Sequence, residues 1–507
     1  MDLPGSDPVL PRPATTEGHP VRSRRYPLYL LAAAVVYVLL FVQAIPTFVD
    51  EAATFRLATD SSLSHMFSAL RGGADGSFPL YALNVYAWGK IFGSSELSLR
   101  LNSGLFVLLF IWHMSRRLDR CFGLAPAIFS LLFVLSNKLF AYYALQARFY
   151  GLVIFLFSLG FWSSWELLQN QKCTGWQRLR HALFCGLLCL SHPLGLVYTG
   201  ILAAAYLLCS VFLKRLSFGN SLAFLGGPIL FLLWLPSFLD QRLVSPTYAP
   251  GPPGWHRYWQ FAFFDSLALF LTLLAGLVVF LIRHWVSSRA GAVTAKEEIT
   301  EAKGSKIAQL GNAYLVVFSL VLIAGINGTF ALLDAAKVIP VYWMEAVRYL
   351  IVGWVAYAVI LSAIAAAAAG WFRELSQNRA VRVPRIIFAL PLAGLLLLME
   401  SHWGDWFKAR ASDRAYFSKI SGVASERHLD VVCKSHWDAF YLATRTPTAR
   451  VFYLLEDDFP FKQYLLKTAI YYPNPFPICP PGRLHYTNAY LYLTDSPREA
   501  RIIEPAP

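Results

Sequence analysis

Charge is what this sequence has little of. Only 15% of its 507 residues are Asp, Glu, Lys or Arg, where soluble domains carry about a quarter. Mean hydropathy is +0.48, so a soluble protein with one large core is excluded as the simplest reading. Acids are scarcer than bases, 30 against 44, which leaves a net charge of +14. Cysteine is sparse as well: there are seven, with no CxxC pair and no Cys/His cluster at zinc-ligand spacing. No internal repeat of fixed period is present. Ionisable residues are also missing from the middles of the apolar stretches, where a secondary transporter would place them beside inverted repeats.

What is present instead is apolar sequence of helical length, recurring almost to residue 400. The pattern is that of a polytopic membrane protein, mostly α. The expected spans are 27–46, 98–115, 122–138, 149–168, 181–192, 195–213, 220–239, 261–282, 312–333, 348–370 and 385–400, about eleven in all. Ahead of them, residues 1–26 are polar and Pro-rich and read as a disordered cytoplasmic tail. No small-residue cleavage site follows the first span, which therefore reads as a signal-anchor.

A further apolar piece, "FPLYALNVYAWGKIF" (78–92), either crosses or lies in the interface. Basic residues collect on cytoplasmic loops. If 78–92 does not cross, Arg22, Arg24, Arg25, Arg116, Arg117, Arg120, Lys172, Arg178, Arg180, Lys214 and Arg215 share one side. If it crosses, most of them move outside, so 78–92 is expected on the surface, within a first outer loop of 47–97. The same topology accounts for the net charge: the bases orient the chain and contact anionic lipid heads, and no nucleic-acid partner is expected.

Sidedness also gathers the chemistry on the outer face. Asp50 and Glu51 in "FVDEAATFRLATD" directly follow the first span. Three arginines sit at outer span starts: Arg100 in "SLRLNSG", Arg148 in "YYALQARFYG" and Arg348 in "YWMEAVRYL". Tyr150, Tyr349 and His192, the last in "SHPLG", accompany them. An arginine at membrane depth costs about 3 kcal/mol on insertion scales and needs a partner. A guanidinium fork matches phosphate oxygens, so the cluster points to an anionic lipid headgroup. Taken singly, Arg100 and Arg348 suit an interfacial anchor better, while Arg148, flanked by Tyr142, Tyr143 and Tyr150, suits the phosphate better. From about 401 to 507 the composition turns polar and aromatic, with short β-like runs at 429–433, 450–455 and 489–495 and a helical piece at "DAFYLATRT". A small outer α/β domain is expected there. Cys433 and Cys479 are its only thiols and are expected to pair, since a disulfide persists outside the cytoplasm.

Three stretches together carry a family resemblance: "VDEAATFRLA", then "GSFPLYALNVYAWGKIFGSSELSLRLNSGLF", then "YYALQARFYGLVIFLFSLGF". They resemble the GT-C glycosyltransferases, in particular the protein O-mannosyltransferase family and the bacterial aminoarabinose transferases that act on lipid A. The resemblance covers roughly residues 27–215, with an echo at "VRYLIVGWVAYAVIL". The family's usual His before the Pro-Leu-Tyr motif is Ser77 here. The resemblance implies a GT-C bundle whose interfacial helices roof the active site. It also implies a polyprenyl-phosphate sugar donor with its tail between the helices, and a hexosyl or pentosyl group moved to an acceptor glycan, lipid or protein of the cell envelope. On that reading Asp50 is the general base and Glu51 orients it. Arg148, Arg100 and Arg348, with Tyr150, Tyr349 and His192, hold the donor phosphate, and transfer inverts the anomeric carbon. The expected place is a bacterial inner membrane with the site on the periplasmic face. Adjacent carboxylates hold a divalent ion in some oligosaccharyltransferases of the superfamily. Beyond Asp60, His65 and Asp75 no carboxylate or His cluster accompanies the pair in this loop, so neither metal nor cofactor is expected. A transporter or flippase for a lipid-linked substrate is the rival reading, but it gives the first-loop acids nothing to do.

Overall fold

The structure is a computed structural model. It describes residues 26–45, 51–73, 76–170, 172–244, 301–335 and 348–377, and after these 404–406, 408–412, 415–433, 451–454, 478–479, 490–493 and 500–503, with isolated positions at 269, 273–274, 276 and 442. Asp50, the span expected at 385–400, nearly all of the one at 261–282 and most of "DAFYLATRT" lie outside the described residues.

Helices dominate. They are α1 (Tyr26–Ala44), α2 (Glu51–Thr59), α3 (Leu63–Arg71), α4 (Pro79–Phe92), α5 (Glu96–Phe122), α6 (Leu124–Ser136) and α7 (Lys138–Leu145). There follow α8 (Tyr150–Gln169), α9 (Gly175–Ser191), α10 (Gly195–Phe212), α11 (Phe218–Leu222), α12 (Gly226–Val244), α13 (Glu301–Ala335) and α14 (Gly353–Gln377). Among the described residues six stretches, in α5, α8, α10, α11–α12, α13 and α14, are long and apolar enough to cross a membrane. The α6–α7 pair makes a seventh if counted as one span. The protein is thus a multi-pass membrane protein. Within α8 the apolar stretch is 83% buried inside the protein, against 28–56% for the other five. This helix is therefore the centre of the bundle, and the others expose apolar faces suited to lipid.

Two spans differ from their sequence outlines. The run 122–138 is no straight helix: α6 ends at Ser136, and α7 leaves at 77°. Asn137 makes the break, because its side chain accepts the Phe140 N–H (2.9 Å) and starts a new helix. The helix expected over 181–192 begins earlier, at Gly175, capped by reciprocal bonds between Thr174 and Gln177.

Helices α2–α4, within the stretch expected to form the first outer loop, are folded onto the bundle. Of these three α4 has 14 residues, about 21 Å at 1.5 Å per residue, short of the ~30 Å hydrocarbon layer. Phe78 at its start packs its ring against Phe231, Trp234 and Phe238 of α12, with centroids 5.9–6.5 Å apart. The Gln241 amide donates to the Leu70 carbonyl (3.0 Å), which ties α3 to the same helix.

Beyond the bundle lies a five-stranded sheet: β1 (Asp430–Cys433), β2 (Val451–Leu454), β3 (Ile478–Cys479), β4 (Tyr490–Leu493) and β5 (Ala500–Ile503). Their order is β3-β2-β1-β4-β5, parallel except for the antiparallel β4–β5 pair. The expected Cys433–Cys479 disulfide does not fit this sheet. Strand β2 lies between the two residues, with Cys433 opposite Tyr453 and Cys479 opposite Leu454. Two strand spacings come to roughly 9–10 Å, whereas a bridge needs Cα atoms within about 7 Å. The segment before the sheet contacts the bundle: Trp406 packs against Phe41 and Tyr142, and Arg410 pairs with Glu96.

Candidate active site

Glu51 opens α2, and its carboxylate is buried. Arg100 from the first turns of α5 meets it in a two-pronged pair: Nε donates to Oε1 (2.8 Å) and Nη2 to Oε2 (2.6 Å). The same guanidinium donates through Nη1 to the carbonyls of Val42 (3.1 Å) and Ile45 (2.8 Å), and Nη2 also reaches Glu96 (3.1 Å). A guanidinium has five N–H groups; four bonds engage three nitrogens, and Nη2 is also ion-paired with Glu96. The side chain is 0% exposed. Arg100 was expected to bind the donor phosphate; here its guanidinium is buried and engaged by Glu51, Glu96 and the chain at the end of α1. The physical reason is the end of α1, whose last carbonyls have no partner within their own helix and are met by Arg100 from below.

Glu51 also fixes a turn far away in sequence. Its Oε1 accepts the Ala147 N–H (2.8 Å). The Ala147 carbonyl accepts from the Tyr81 hydroxyl (3.1 Å), which lies 2.9 Å from the Thr54 hydroxyl of α2. Between α7 and α8 the chain folds tightly enough for the Arg148 N–H to reach the Gln146 carbonyl at 2.6 Å. The Ser103 hydroxyl of α5 donates to the Arg148 carbonyl (3.1 Å). Gly151 makes this approach feasible: a Cβ there would lie 2.7 Å from the Ser103 oxygen and 2.9 Å from that of Ala144.

The turn delivers Arg148 to an aromatic cluster. Arg148 is buried, and its guanidinium sits 5.1 Å from the centroid of the Phe149 ring, within cation–π range. Phe149 stacks on His192 at 4.0 Å, and His192 lies 6.0 Å from Tyr349. Arg348 covers the Tyr349 ring at 5.0 Å and donates to its hydroxyl (3.0 Å). The Tyr198 hydroxyl donates to the Tyr349 carbonyl (2.6 Å), anchoring that strand of chain to α10. Tyr150 is buried against Phe149 and Tyr143. The structure therefore gathers Arg148, His192, Arg348, Tyr349 and Tyr150, drawn from three distant parts of the sequence.

His192 lies in the break between α9 and α10, outside both helices. The chain closes there by a bond from Gly195 N–H to the His192 carbonyl (2.8 Å). The imidazole Nδ1 accepts the Leu194 N–H (3.1 Å). Burial, with Arg148 and Arg348 nearby, pushes its pKa well below the ordinary histidine value. The ring is therefore neutral, and with Nδ1 an acceptor its proton sits on Nε2, which makes that atom a hydrogen-bond donor.

The sequence reading missed Tyr81, Thr54, Ser103 and the Ala147 backbone. Tyr81 and Ser103 stand inside the quoted resemblance stretches, but nothing in their spacing marks them as partners of a turn 66 and 45 residues away. Metal binding does not fit the acids that are described. Glu51 is engaged by Arg100 and Ala147, and Asp60 accepts from the Ser62 N–H and pairs with His65. Among the described residues no three His, Cys, Asp or Glu side chains are grouped to hold an ion.

Two crystal structures of ArnT from Cupriavidus metallidurans are similar to this chain over 92% of its length and 93% of theirs. One is bound to undecaprenyl phosphate (12% identity, TM-score 0.52) and the other is in the apo state (11%, 0.54). The archaeal oligosaccharyltransferase AglB from Archaeoglobus fulgidus, in complex with an inhibitory peptide and a dolichol-phosphate, matches at 12% identity and a TM-score of 0.40, over 84% of this chain and 64% of that one. At such identities the likeness is one of fold: the chain shares the membrane fold of ArnT. No family model matches the sequence, and no curated protein matches it.

Proposed function

We propose that this protein is a membrane glycosyltransferase that moves a sugar from a polyprenyl-phosphate to an acceptor, with its site on the extracytoplasmic face of a bacterial inner membrane. The observation that carries the reading is the convergence of Arg148, Arg348 and a neutral, Nε2-protonated His192 around the rings of Phe149 and Tyr349. Two fixed cations and an N–H donor suit a phosphate that gains charge as it leaves. Electrostatic stabilisation of that kind acts strongly where water is excluded. The bound lipid of the ArnT structure supports the same class of donor.

In this mechanism Asp50, the covalent neighbour of the pinned Glu51, takes the proton from an acceptor hydroxyl or amine. The acceptor atom forms a bond to the anomeric carbon. The bond from that carbon to the phosphate oxygen breaks, and its electron pair leaves with the phosphate, held by Arg148, Arg348 and His192. A single displacement inverts the carbon. Glu51 and Arg100 touch neither reactant; they fix the start of α2 and the turn at 146–148, so both are positioning residues.

The test is transfer of radiolabel from a polyprenyl-phosphate sugar to a fractionated acceptor by purified protein in detergent. Asp50→Asn keeps shape and removes the base, and turnover is expected to fall by about a hundredfold or more with donor affinity retained. Turnover of Asp50→Asn at the wild-type rate would sink the mechanism.

A further inference from the structure

The turn that joins the two halves of the site contains one polar side chain left without a use. Gln146 is 0% exposed. Neither its amide oxygen nor its amide nitrogen has a hydrogen-bond partner among the described residues. Every other polar element around it is committed: its own carbonyl to the Arg148 N–H, the Ala147 N–H to Glu51, the Ala147 carbonyl to Tyr81, and the Arg148 carbonyl to Ser103. A buried amide with neither end bonded is destabilising, and native proteins keep few of them. Where one persists at a site, the absent partner is a ligand in good standing as an explanation.

The chemistry of the group narrows that ligand. A primary amide offers a donor and an acceptor about 2 Å apart. Phosphate oxygens accept only, and an isoprenoid tail does neither. A sugar hydroxyl both donates and accepts, so it satisfies both ends of the amide. Position agrees. In an inverting displacement the acceptor and its base lie on one side of the anomeric carbon and the departing phosphate on the other, so the sugar sits between them. Gln146 occupies the same place in the chain: Ala147 ties the turn to Glu51, beside the proposed base, and Arg148 belongs to the phosphate cluster.

We infer that Gln146 reads the transferred sugar, its amide bonding to the hydroxyls of a neutral pyranose or furanose carried on the lipid phosphate. This rests on the donor class proposed above. Gln146 is a specificity residue: it adds affinity for the sugar and none for the phosphate.

The experiment measures binding to purified full-length protein of undecaprenyl phosphate alone and of the same lipid phosphate carrying glucose, mannose, galactose or arabinose. Wild-type protein is expected to bind one of the sugar-bearing lipids at least tenfold more tightly than the bare lipid phosphate. Gln146→Leu should lose that increment while keeping bare-lipid affinity within about twofold. Because the amide is unpaired, the unliganded Gln146→Leu protein should melt no lower than wild type. Gln146→Glu, which keeps an acceptor and removes the donor, should reorder the preference among the four sugars. Retention of the full sugar increment by Gln146→Leu overturns the inference, as does a lowered melting point with selectivity intact, since Gln146 would then be structural. Wild-type protein that binds bare and sugar-bearing lipid equally overturns the inference alone. Wild-type protein that binds no lipid phosphate overturns the donor class and the inference with it.

Discussion

Replacing Arg100 with leucine separates two roles that an arginine at a span start can have. The side chain pairs with Glu51 through two bonds and holds the Val42 and Ile45 carbonyls at 3.1 and 2.8 Å. Arg100→Leu leaves the Glu51 carboxylate buried without this guanidinium, and it takes the Arg100 N–H groups from the Val42 and Ile45 carbonyls. Removing one member of a buried pair costs about 3–5 kcal/mol. Replacing both members with apolar groups is commonly neutral, although the two carbonyls still lack partners at about 1 kcal/mol each. Arg100→Leu is therefore expected to lose about 3–5 kcal/mol, and adding Glu51→Leu should restore about 2 kcal/mol of it, a coupling within the range of contacting residues. Unfolding in mixed micelles, followed by tryptophan fluorescence, gives the four corners of the cycle. Undecaprenyl phosphate binding is measured on each folded variant in parallel and should stay within a few-fold of wild type. Wild-type stability of Arg100→Leu combined with lost lipid binding would refute the reasoning, and Arg100 would be a phosphate ligand after all.

Arg148→Ala should abolish transfer chiefly by weakening undecaprenyl phosphate binding, and Arg148→Lys should restore only part of it, because an ammonium keeps the charge without the fork; equal binding by wild type and Arg148→Ala would return this residue to an anchoring role. Burial with Arg148 and Arg348 holds the folded His192 pKa down, so as pH falls through about 6.5 the unfolded histidine takes up its proton first. Stability from the neutral ring is complete above that pH and declines below it by up to about 1.4 kcal/mol per unit; melting midpoints between pH 7.5 and 5 should show a decline that His192→Asn flattens, and an identical slope in both proteins counts against it. Gly151→Val should push α8 off the Ser103 and Ala144 carbonyls, which a Cβ would meet at 2.7 and 2.9 Å, and lower both stability and lipid binding, measured together; unchanged values would mean that the turn at 146–148 does not depend on this approach.

Local chemistry made much of the fold legible. Strands β1, β2 and β4 fall within the apolar runs at 429–433, 450–455 and 489–495, because aromatic and β-branched residues mark a pleated surface. Strand β3, two residues long, and β5, which carries Arg501, offer no such run. The bend at Asn137 was hidden because hydropathy over 122–138 is continuous, and only a cap residue interrupts it. At the site, the arginines at span starts look alike in sequence. Arg148 and Arg348 approach aromatic rings while Arg100 is enclosed, and that difference comes from Glu51, 49 residues away, and from the end of α1. Pairings of that range are set by packing, and sequence spacing does not encode them. The disulfide expectation failed for the same reason: two thiols in one small domain say nothing about the strand between them.

The turn at 146–148 explains why a buried ion pair belongs beside this site. Displacement at a sugar carbon requires the base and the phosphate cluster to stay a fixed distance apart on opposite sides of the substrate, and small misplacement is costly to rate. The proposed base directly precedes Glu51 in the chain, the phosphate cluster comes from 148–149, 192 and 348–349, and these distant stretches of sequence share no short covalent frame. Glu51 supplies one. Its carboxylate grips α5 through Arg100, and with it the end of α1, while the other lone pair of Oε1 takes the Ala147 N–H one residue before Arg148. The residue next to the proposed base thus holds the residue next to the proposed phosphate ligand. A change in the Glu51–Arg100 geometry therefore reaches the turn that carries Arg148 through the Ala147 N–H, and on the proposed mechanism the pair sets alignment without meeting either substrate.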